Sequence, residues 1–176
     1  KNVIEEAVAN FAVRCTEKLR RQGSVCQGIT VFAWTSRFNE HVPEYTIHDS
    51  LTLPIATNAQ EEIVGAALSI LRAKYPKPMA DSRPDRSDMS FHFKKAGVIL
   101  WQISPDHPRQ QDLFDPIDRS KQKKLMEAID AINRKNGYGT IRQAIQGTDC
   151  RFDLKREYMS KQFTTNIHDI LKVKTR

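Results

Sequence analysis

The fold of this chain is decided by residues 25–36, which read Val25-Cys26-Gln27-Gly28-Ile29-Thr30-Val31-Phe32-Ala33-Trp34-Thr35-Ser36. Successive side chains of a strand point to opposite faces, so this stretch sorts into two sets. One face carries Ile29, Val31 and Ala33, and the other carries Thr30, Phe32 and Trp34. The alternation predicts a strand with apolar character on both faces.

Two further strands are predicted in the same part of the chain. Residues 44–53 place polar, mostly uncharged side chains on one face, namely Thr46, His48, Ser50 and Thr52. The opposite face carries Tyr45, Ile47, Leu51 and Leu53. Asp49 is the exception on that apolar face, which indicates a bulge or a sheet edge. Residues 91–104 contain a β-prone run from Ala96 to Ile103 and predict the third strand.

Apolar residues three or four positions apart predict two amphipathic helices. In residues 3–22 these are Ile4, Val8, Phe11, Cys15 and Leu19. The second helix is predicted to begin at Asn58, which forms a capping-box-like pattern with Glu61, and to end at Pro76. The turn-rich, charged residues 76–90 predict a loop. The order α-β-β-α-β predicts an α+β fold, a small antiparallel-type sheet with two helices on one face and the other face open.

Composition and motifs exclude several classes of protein. With 39% hydrophobic and 28% charged residues, the chain is expected to be a soluble protein with a core, and no apolar run approaches the ~20 residues of a membrane helix. The start at Lys1 shows neither Met nor a signal peptide, so we expect a piece of a longer chain. The three cysteines lack metal-ligand spacing and are expected to be reduced thiols. No metal, phosphate-loop or nucleophile motif is visible, so no catalytic residue is predicted.

The basic charge is concentrated in the tail. Residues 1–116 hold 14 Lys+Arg and 14 Asp+Glu, whereas residues 117–176 hold 14 and 7. This asymmetry favours a polyanion or an acidic protein as the partner of the tail, and a solvated basic surface is the alternative. A short helix is predicted from Lys121, marked by Leu125, Ile129 and Ile132. The polar segment after it is expected to fold against the rest of the chain or a partner.

A docking peptide is predicted in the linker between Pro108 and Pro116. Residues 110–114 read Gln110-Gln111-Asp112-Leu113-Phe114. A Leu-Phe pair in a proline-bounded segment has no core of its own, although a strand end or loop anchor has the same pattern. The peptide resembles the pentapeptide by which bacterial polymerases and repair factors bind the sliding clamp, with Gln111 where Leu is usual.

Taken together, residues 1–104 resemble the little-finger domain of the Y-family translesion DNA polymerases. The tail is similar to the C-terminal module of UmuC-like members, which are subunits of bacterial DNA polymerase V. The matching stretches are Leu125 to Asn133, Gly137-Tyr138-Gly139-Thr140, Lys155-Arg156, Ser160 and Thr164-Thr165. The resemblance implies a DNA-binding domain over 1–104, a linker with a clamp-binding peptide over 105–120, and a C-terminal module over 121–176.

The resemblance also implies roles for particular residues. DNA would be gripped through the open sheet face by Thr46, His48, Ser50, Thr52, Lys94 and Lys95. The clamp would be bound by Gln110, Asp112, Leu113 and Phe114. Lys155 and Arg156 would contact DNA or a partner protein.

Activity and partners follow from the same resemblance. Polymerisation would require a palm domain before Lys1, and Mg²⁺ would belong to that palm, so this chain would be neither an enzyme nor a cofactor carrier. The implied partners are primer-template DNA, the sliding clamp, a UmuD-type subunit and the RecA filament, with no membrane. The implied setting is the cytoplasm, in SOS mutagenesis and DNA damage tolerance.

Two other classes remain open from the residues alone. One is a free-standing RNA- or DNA-binding module of the βαββαβ kind, in which Phe32 and Trp34 form a stacking platform. That class usually carries an RNP1-like run, which this sequence lacks. The other is an adaptor whose linker peptide and tail bind only proteins.

Overall fold

The computed structural model describes residues 2–36, 44–76, 92–106, 117–148, 152 and 160–171. Its elements are α1 (Asn2–Arg21), β1 (Ser24–Thr35), β2 (Thr46–Thr57), α2 (Gln60–Lys74), β3 (Phe93–Pro105) and α3 (Arg119–Asn136), followed by short 3-10 helices at Ala144–Gln146 and Ile167–Asp169. The predicted α+β class is confirmed. The peptide 110–114, the pair Lys155 and Arg156, and nearly all of the predicted loop lie outside the described residues.

The sheet is antiparallel, with the described strands in the order β2-β1-β3. One face of β1 is fully buried, with Ile29, Val31 and Ala33 at 0% exposure, against Ile63 and Leu71 of α2 and the apolar side of α1. Both helices therefore cover the face that carries Ile29, Val31 and Ala33, and the predicted packing of two helices on one sheet face is confirmed. The opposite face is not covered by α1 or α2, and the candidate site lies on it.

Asp49 lies at the edge of this sheet, as predicted. It pairs with Val31 in a continuous stretch of register, and its carboxylate lies 3.4 Å from the Nζ of Lys74 in α2. The backbone N–H of Ser50 and then Lys74 lower the pKa of Asp49. The pairing of β1 with β2 is irregular instead between Cys26 and Gly28. Their partners in β2 are Thr57 and Thr52, so β2 holds extra residues at this point. That irregularity explains why β2 continues four residues beyond the predicted end.

The predicted N-cap of the second helix is wrong. The cap residue is Ala59, and no side chain makes a capping hydrogen bond there. Asn58 instead donates from Nδ2 to the carbonyl of Ser24, at 3.1 Å, and so ties the start of the helix to β1. The predicted end is confirmed, since α2 stops at Lys74, just before Pro76.

The tail helix docks through a different side from the one predicted. It begins at Arg119, and its buried residue is Met126, whereas Leu125 and Ile132 are 48% and 38% exposed. Asp130 accepts two hydrogen bonds of 2.7 Å from the guanidinium of Arg20 in α1. The docking is thus mainly polar, and an apolar periodicity cannot locate such a face.

Two more contacts between side chains attach the start of α3 to α2. Arg119 and Gln122 both donate to the carboxylate of Glu62, at 2.6 and 2.8 Å. Beyond α3, the Tyr138 ring lies 5.6 Å from the Arg14 guanidinium carbon, and Phe152 packs edge-on against Phe11. The tail therefore contacts the helical layer through α3, Tyr138 and Phe152.

Candidate nucleic-acid interface

The open face of the sheet presents its side chains in four cross-strand rows. Antiparallel register places one residue of β1 between a residue of β2 and a residue of β3 in each row. In order, the rows are Thr46, Trp34 and Lys95; His48, Phe32 and Gly97; Ser50, Thr30 and Ile99; and Thr52, Gly28 and Trp101. The β2 side of this face is polar, and the β1 and β3 side is mainly aromatic and aliphatic.

The polar column consists of Thr46, His48, Ser50 and Thr52, all of them exposed. The sequence placed these four side chains on one face, and that placement is confirmed. None of the four carries a permanent charge. Hydroxyls and strand amides of this kind donate hydrogen bonds to phosphate oxygens without reading a base.

Ser50 is held by hydrogen bonds that run across all three strands. The indole Nε1 of Trp101 donates to Oγ1 of Thr30 at 3.0 Å, and Thr30 lies 2.8 Å from Oγ of Ser50. An indole N–H can only donate, so Thr30 accepts from Trp101 and has its own hydrogen available for Ser50. When Thr30 donates in this way, the hydroxyl hydrogen of Ser50 is left for an acceptor outside the protein.

The two predicted lysines are placed differently. Lys95 pairs with Trp34 on the open face, and its Nζ lies 5.2 Å from the centre of the Trp34 ring. Lys94 lies where the register shifts, between Lys95, which pairs with Trp34, and Phe93, which pairs with Thr35. It is exposed, and together with Lys95 it lines a groove of about 420 Å³ beside the first turns of α1. Lys95 therefore belongs to the open face, and Lys94 sits at its border.

The aromatic stripe, defined as Phe32, Trp34, Ile99 and Trp101, is larger than the sequence indicated. Phe32 and Trp34 stack on each other with ring centres 5.2 Å apart. Sequence reasoning missed Trp101, which belongs to the same face. The signal that could have found it is the glycine opposite Trp101, because a glycine inside a strand often marks a close approach.

Gly28 and Gly97 provide the space for these rings. A Cβ on Gly28 would overlap the bond shared by the two rings of the Trp101 indole, and a Cβ on Gly97 would overlap the tip of Phe32. The shared bond lies in the interior of the indole, so Trp101 presents a ring face, not an edge, to the backbone of Gly28. The glycines therefore let aromatic rings lie close on the sheet.

Replacing Gly28 by alanine is expected to destabilise the fold by about 1–3 kcal/mol, because the added methyl group forces Trp101 off the sheet. Urea denaturation gives the free energy of unfolding, and the emission wavelength of the native protein reports the displaced indole. Gly65→Ala in α2 is the matched control, since nothing lies within 4 Å of its added Cβ. Alanine favours a helix, so this control should not lose stability. Equal losses in the two variants would contradict the packing of Trp101 on Gly28.

Metal binding and thiol reactivity can be assessed among the described residues. Within the described ranges, no group of His, Cys, Asp and Glu side chains could hold a metal ion. Cys15 and Cys26 are free thiols, and burial raises the pKa of Cys26 to about 11, so its thiolate is scarce near neutral pH. No helix in the described part of the chain is long and apolar enough to cross a bilayer.

Two family models match consecutive parts of this chain. The model described as the impB/mucB/samB family C-terminal domain matches residues 1–113. The model described as a domain of unknown function, DUF4113, matches residues 123–173. The first match covers all three strands and both helices of the sheet domain, and the second covers most of α3 and the segment after it.

Full-length relatives extend the comparison to nearly the whole chain. Protein UmuC of Salmonella typhimurium strain LT2 is 34% identical over 97% of this chain and 38% of that protein. Protein ImpB of Salmonella typhimurium is 32% identical over 97% of the chain and 37% of that protein. Protein MucB of Escherichia coli is 32% identical over 95% of the chain and 36% of that protein.

The chain thus spans a little over a third of the length of the relatives it matches. The resemblance inferred from the residues is confirmed by both kinds of match. The chain belongs to the UmuC, ImpB, MucB and SamB family of Y-family polymerases, as its C-terminal little-finger domain followed by a DUF4113 tail.

Proposed function

We propose that this chain is the DNA-gripping and clamp-recruiting C-terminal part of an error-prone translesion DNA polymerase that acts in SOS mutagenesis and DNA damage tolerance. The observation that carries the proposal is the polar column on the open sheet face. Four exposed, polar side chains in one line suit a surface that follows a phosphate backbone, in a domain of a polymerase family. Phosphate contacts that read no base suit an enzyme that must accept damaged templates.

The charge distribution indicates that the two parts of the chain contribute differently to DNA binding. Residues 1–116 are balanced in charge, so bulk electrostatics cannot attract them to DNA. Residues 117–176 carry the whole basic excess, and α3 within them contacts the helical layer. The sheet face would supply local hydrogen bonds, and the tail would supply the salt-dependent attraction. Binding of the isolated chain should therefore be weak and sensitive to salt.

Removing two tail charges, in the variant Lys155→Gln/Arg156→Gln, is expected to lower the slope of log affinity against log salt by about 2 if both residues contact phosphate. Fluorescence anisotropy with labelled primer-template DNA over a series of salt concentrations measures this slope. The comparison variant Ser50→Ala/Thr52→Ala removes uncharged donors, so it should weaken binding about tenfold and leave the slope unchanged. An unchanged slope in the tail variant would show that Lys155 and Arg156 do not meet the backbone.

The peptide 110–114 is the proposed clamp anchor, with Gln110, Asp112, Leu113 and Phe114 as its contacts. In the sequence it lies between β3 and α3. A UmuD-type subunit and the RecA filament are further proposed partners of the complete protein. Catalysis and Mg²⁺ would belong to a palm domain outside this chain, and the setting would be the bacterial cytoplasm.

An adaptor that binds only proteins is the competing function, and one pair of titrations separates the two. Primer-template DNA and purified sliding clamp are each titrated into the chain at the same low salt. Binding to both supports the polymerase function. Binding to the clamp with a flat DNA titration supports the adaptor instead.

A further inference from the structure

The tail helix α3 turns its apolar side away from the sheet domain. The sequence marks Leu125, Ile129 and Ile132 as one helical stripe, because they are three or four positions apart. Leu125 and Ile132 are 48% and 38% exposed, whereas Met126, on the side of α3 that meets α1, is buried. A surface helix normally turns its apolar stripe towards the core. A stripe that faces solvent instead marks a surface for a partner.

Two hydrogen bonds extend this apolar surface beyond the helix. The side chain of Asn133 accepts from the backbone N–H of Ile141 at 2.7 Å and donates to the carbonyl of Ile141 at 3.2 Å. Ile141 is thereby held beside the last turns of α3, and it is 38% exposed. We define the outer stripe as Leu125, Ile129, Ile132 and Ile141.

The charged side chains of α3 that border the outer stripe are all basic. At 3.6 residues per turn, Lys121 and Lys135 lie at the two ends of the stripe, and Lys124 lies along one side. All three lysines are exposed. The two acidic residues of α3, Glu127 and Asp130, both line the cleft between α3 and α1. A complementary surface is therefore apolar along its centre and acidic at its edges.

This arrangement disfavours two other occupants of the stripe. In a parallel pair of α3 helices, the two end lysines would face their own copies. In an antiparallel pair centred on Ala128, Lys121 would face Lys135, so both arrangements of two copies bring like charges together. The last described residues of the tail do not pack on the stripe either, because Ile167 and Leu171 remain 76% and 72% exposed.

We propose that the outer stripe is a docking surface for an amphipathic helix of a partner protein, whose apolar side is bordered by Asp and Glu. Leu125, Ala128 and Ile132 have the a-d-a spacing of a helix-packing seam. Lys121 and Lys135 are about 21 Å apart along the helix axis, so the matching carboxylates would lie about four turns apart. The inference is independent of the DNA and clamp contacts proposed above. It gives the segment that matches DUF4113 a binding role of its own.

A synthetic peptide of the stated chemistry tests the inference. The probe is a labelled peptide of about four heptads with Leu at a and d and Glu at e and g, and its like charges keep it from pairing with itself. A second labelled peptide keeps the same Leu seam and has Lys in place of Glu. Fluorescence anisotropy with the unmodified full chain should show micromolar binding of the Glu peptide and at least about tenfold weaker binding of the Lys peptide.

Variants of the full chain locate the binding surface. Leu125→Ala/Ile132→Ala should weaken binding of the Glu peptide about tenfold, and alanine at two exposed helix positions preserves the fold. Lys121→Gln/Lys135→Gln should weaken it about fivefold and reduce its dependence on salt. Val3→Ala is the control, because it removes an apolar side chain, 57% exposed, from the first turn of α1. It should bind the Glu peptide like the unmodified chain.

The contrary outcomes are specific. Equal binding of the two peptides, or undiminished binding of the Glu peptide by Leu125→Ala/Ile132→Ala, overturns the inference. Binding to vesicles of anionic phospholipid that is lost in the same variant, without binding of the Glu peptide, overturns it in favour of a membrane surface. Neither DNA nor the clamp takes part in these titrations, so their failure leaves the proposed function to its own tests.

Discussion

Replacing Leu113 and Phe114 together by alanine is expected to abolish binding of this chain to a purified bacterial sliding clamp. Burying a Leu or Phe side chain contributes about 1.5–3 kcal/mol, so losing both should weaken binding by on the order of 100-fold or more. Isothermal titration calorimetry or anisotropy measures the dissociation constant, which we expect in the micromolar range for the unmodified chain.

Two further variants make this test specific. Asp115→Ala lies in the same linker, outside the pentapeptide, and should bind the clamp like the unmodified chain. Gln111→Leu restores the residue that is usual at that position and should tighten binding by about tenfold through added apolar burial. Undiminished binding of the double alanine variant would mean that the clamp contacts another part of the chain.

Replacing Asp130 by alanine is expected to loosen the docking of the tail on α1. The side chain of Arg20 is 9% exposed, and Asp130 accepts two hydrogen bonds from its guanidinium. Without that carboxylate, the nearly buried charge would retain a hydrogen bond to the carbonyl of Asn58, at 3.1 Å. Because Asp130 is itself partly solvated, we expect a loss of about 2–3 kcal/mol, below the range for fully buried pairs. That loss corresponds to a fall of about 4–12 °C in Tm, together with faster trypsin cleavage after residue 117.

The matched control is Lys123→Ala, which removes another ion pair of the same tail helix. Its Nζ lies 3.2 Å from Asp106, but the side chains are 63% and 30% exposed. Exposed pairs contribute little, so Tm and the cleavage rate should stay close to those of the unmodified chain. If Asp130→Ala behaves like Lys123→Ala, polar docking through Arg20 does not hold the tail.

Burial made the sheet predictable from the residues. The period of two in Ile29, Val31 and Ala33 reflects a face that is fully buried, and an edge position accommodates the charge of Asp49. The polar column followed from the same alternation, because its four residues have no role in the core. Such patterns depend only on the alternation of side chains along a strand, which can be read from neighbouring residues in the sequence.

The errors have a common physical origin in contacts between distant segments. Asn58 fits a capping pattern, yet its side chain bonds to Ser24, which lies 34 residues earlier. Leu125 and Ile132 fit a helical stripe, yet α3 docks through Met126 and Asp130. The reason is that Arg20 of α1 donates a hydrogen bond to Asp130. The role of Trp101 depends on cross-strand pairing with Gly28. None of these partners is visible from local periodicity.

The most direct test of the account is an NMR titration of the isotope-labelled chain with primer-template DNA that carries a single-stranded overhang. We predict that the largest shift changes in the sheet domain lie on the open face, in residues 46–52 of β2 and in the facing stretches of β1 and β3. The buried faces of α1 and α2 should show little change. Changes concentrated on the helical layer, or an absence of changes at low salt, would contradict a DNA-gripping sheet.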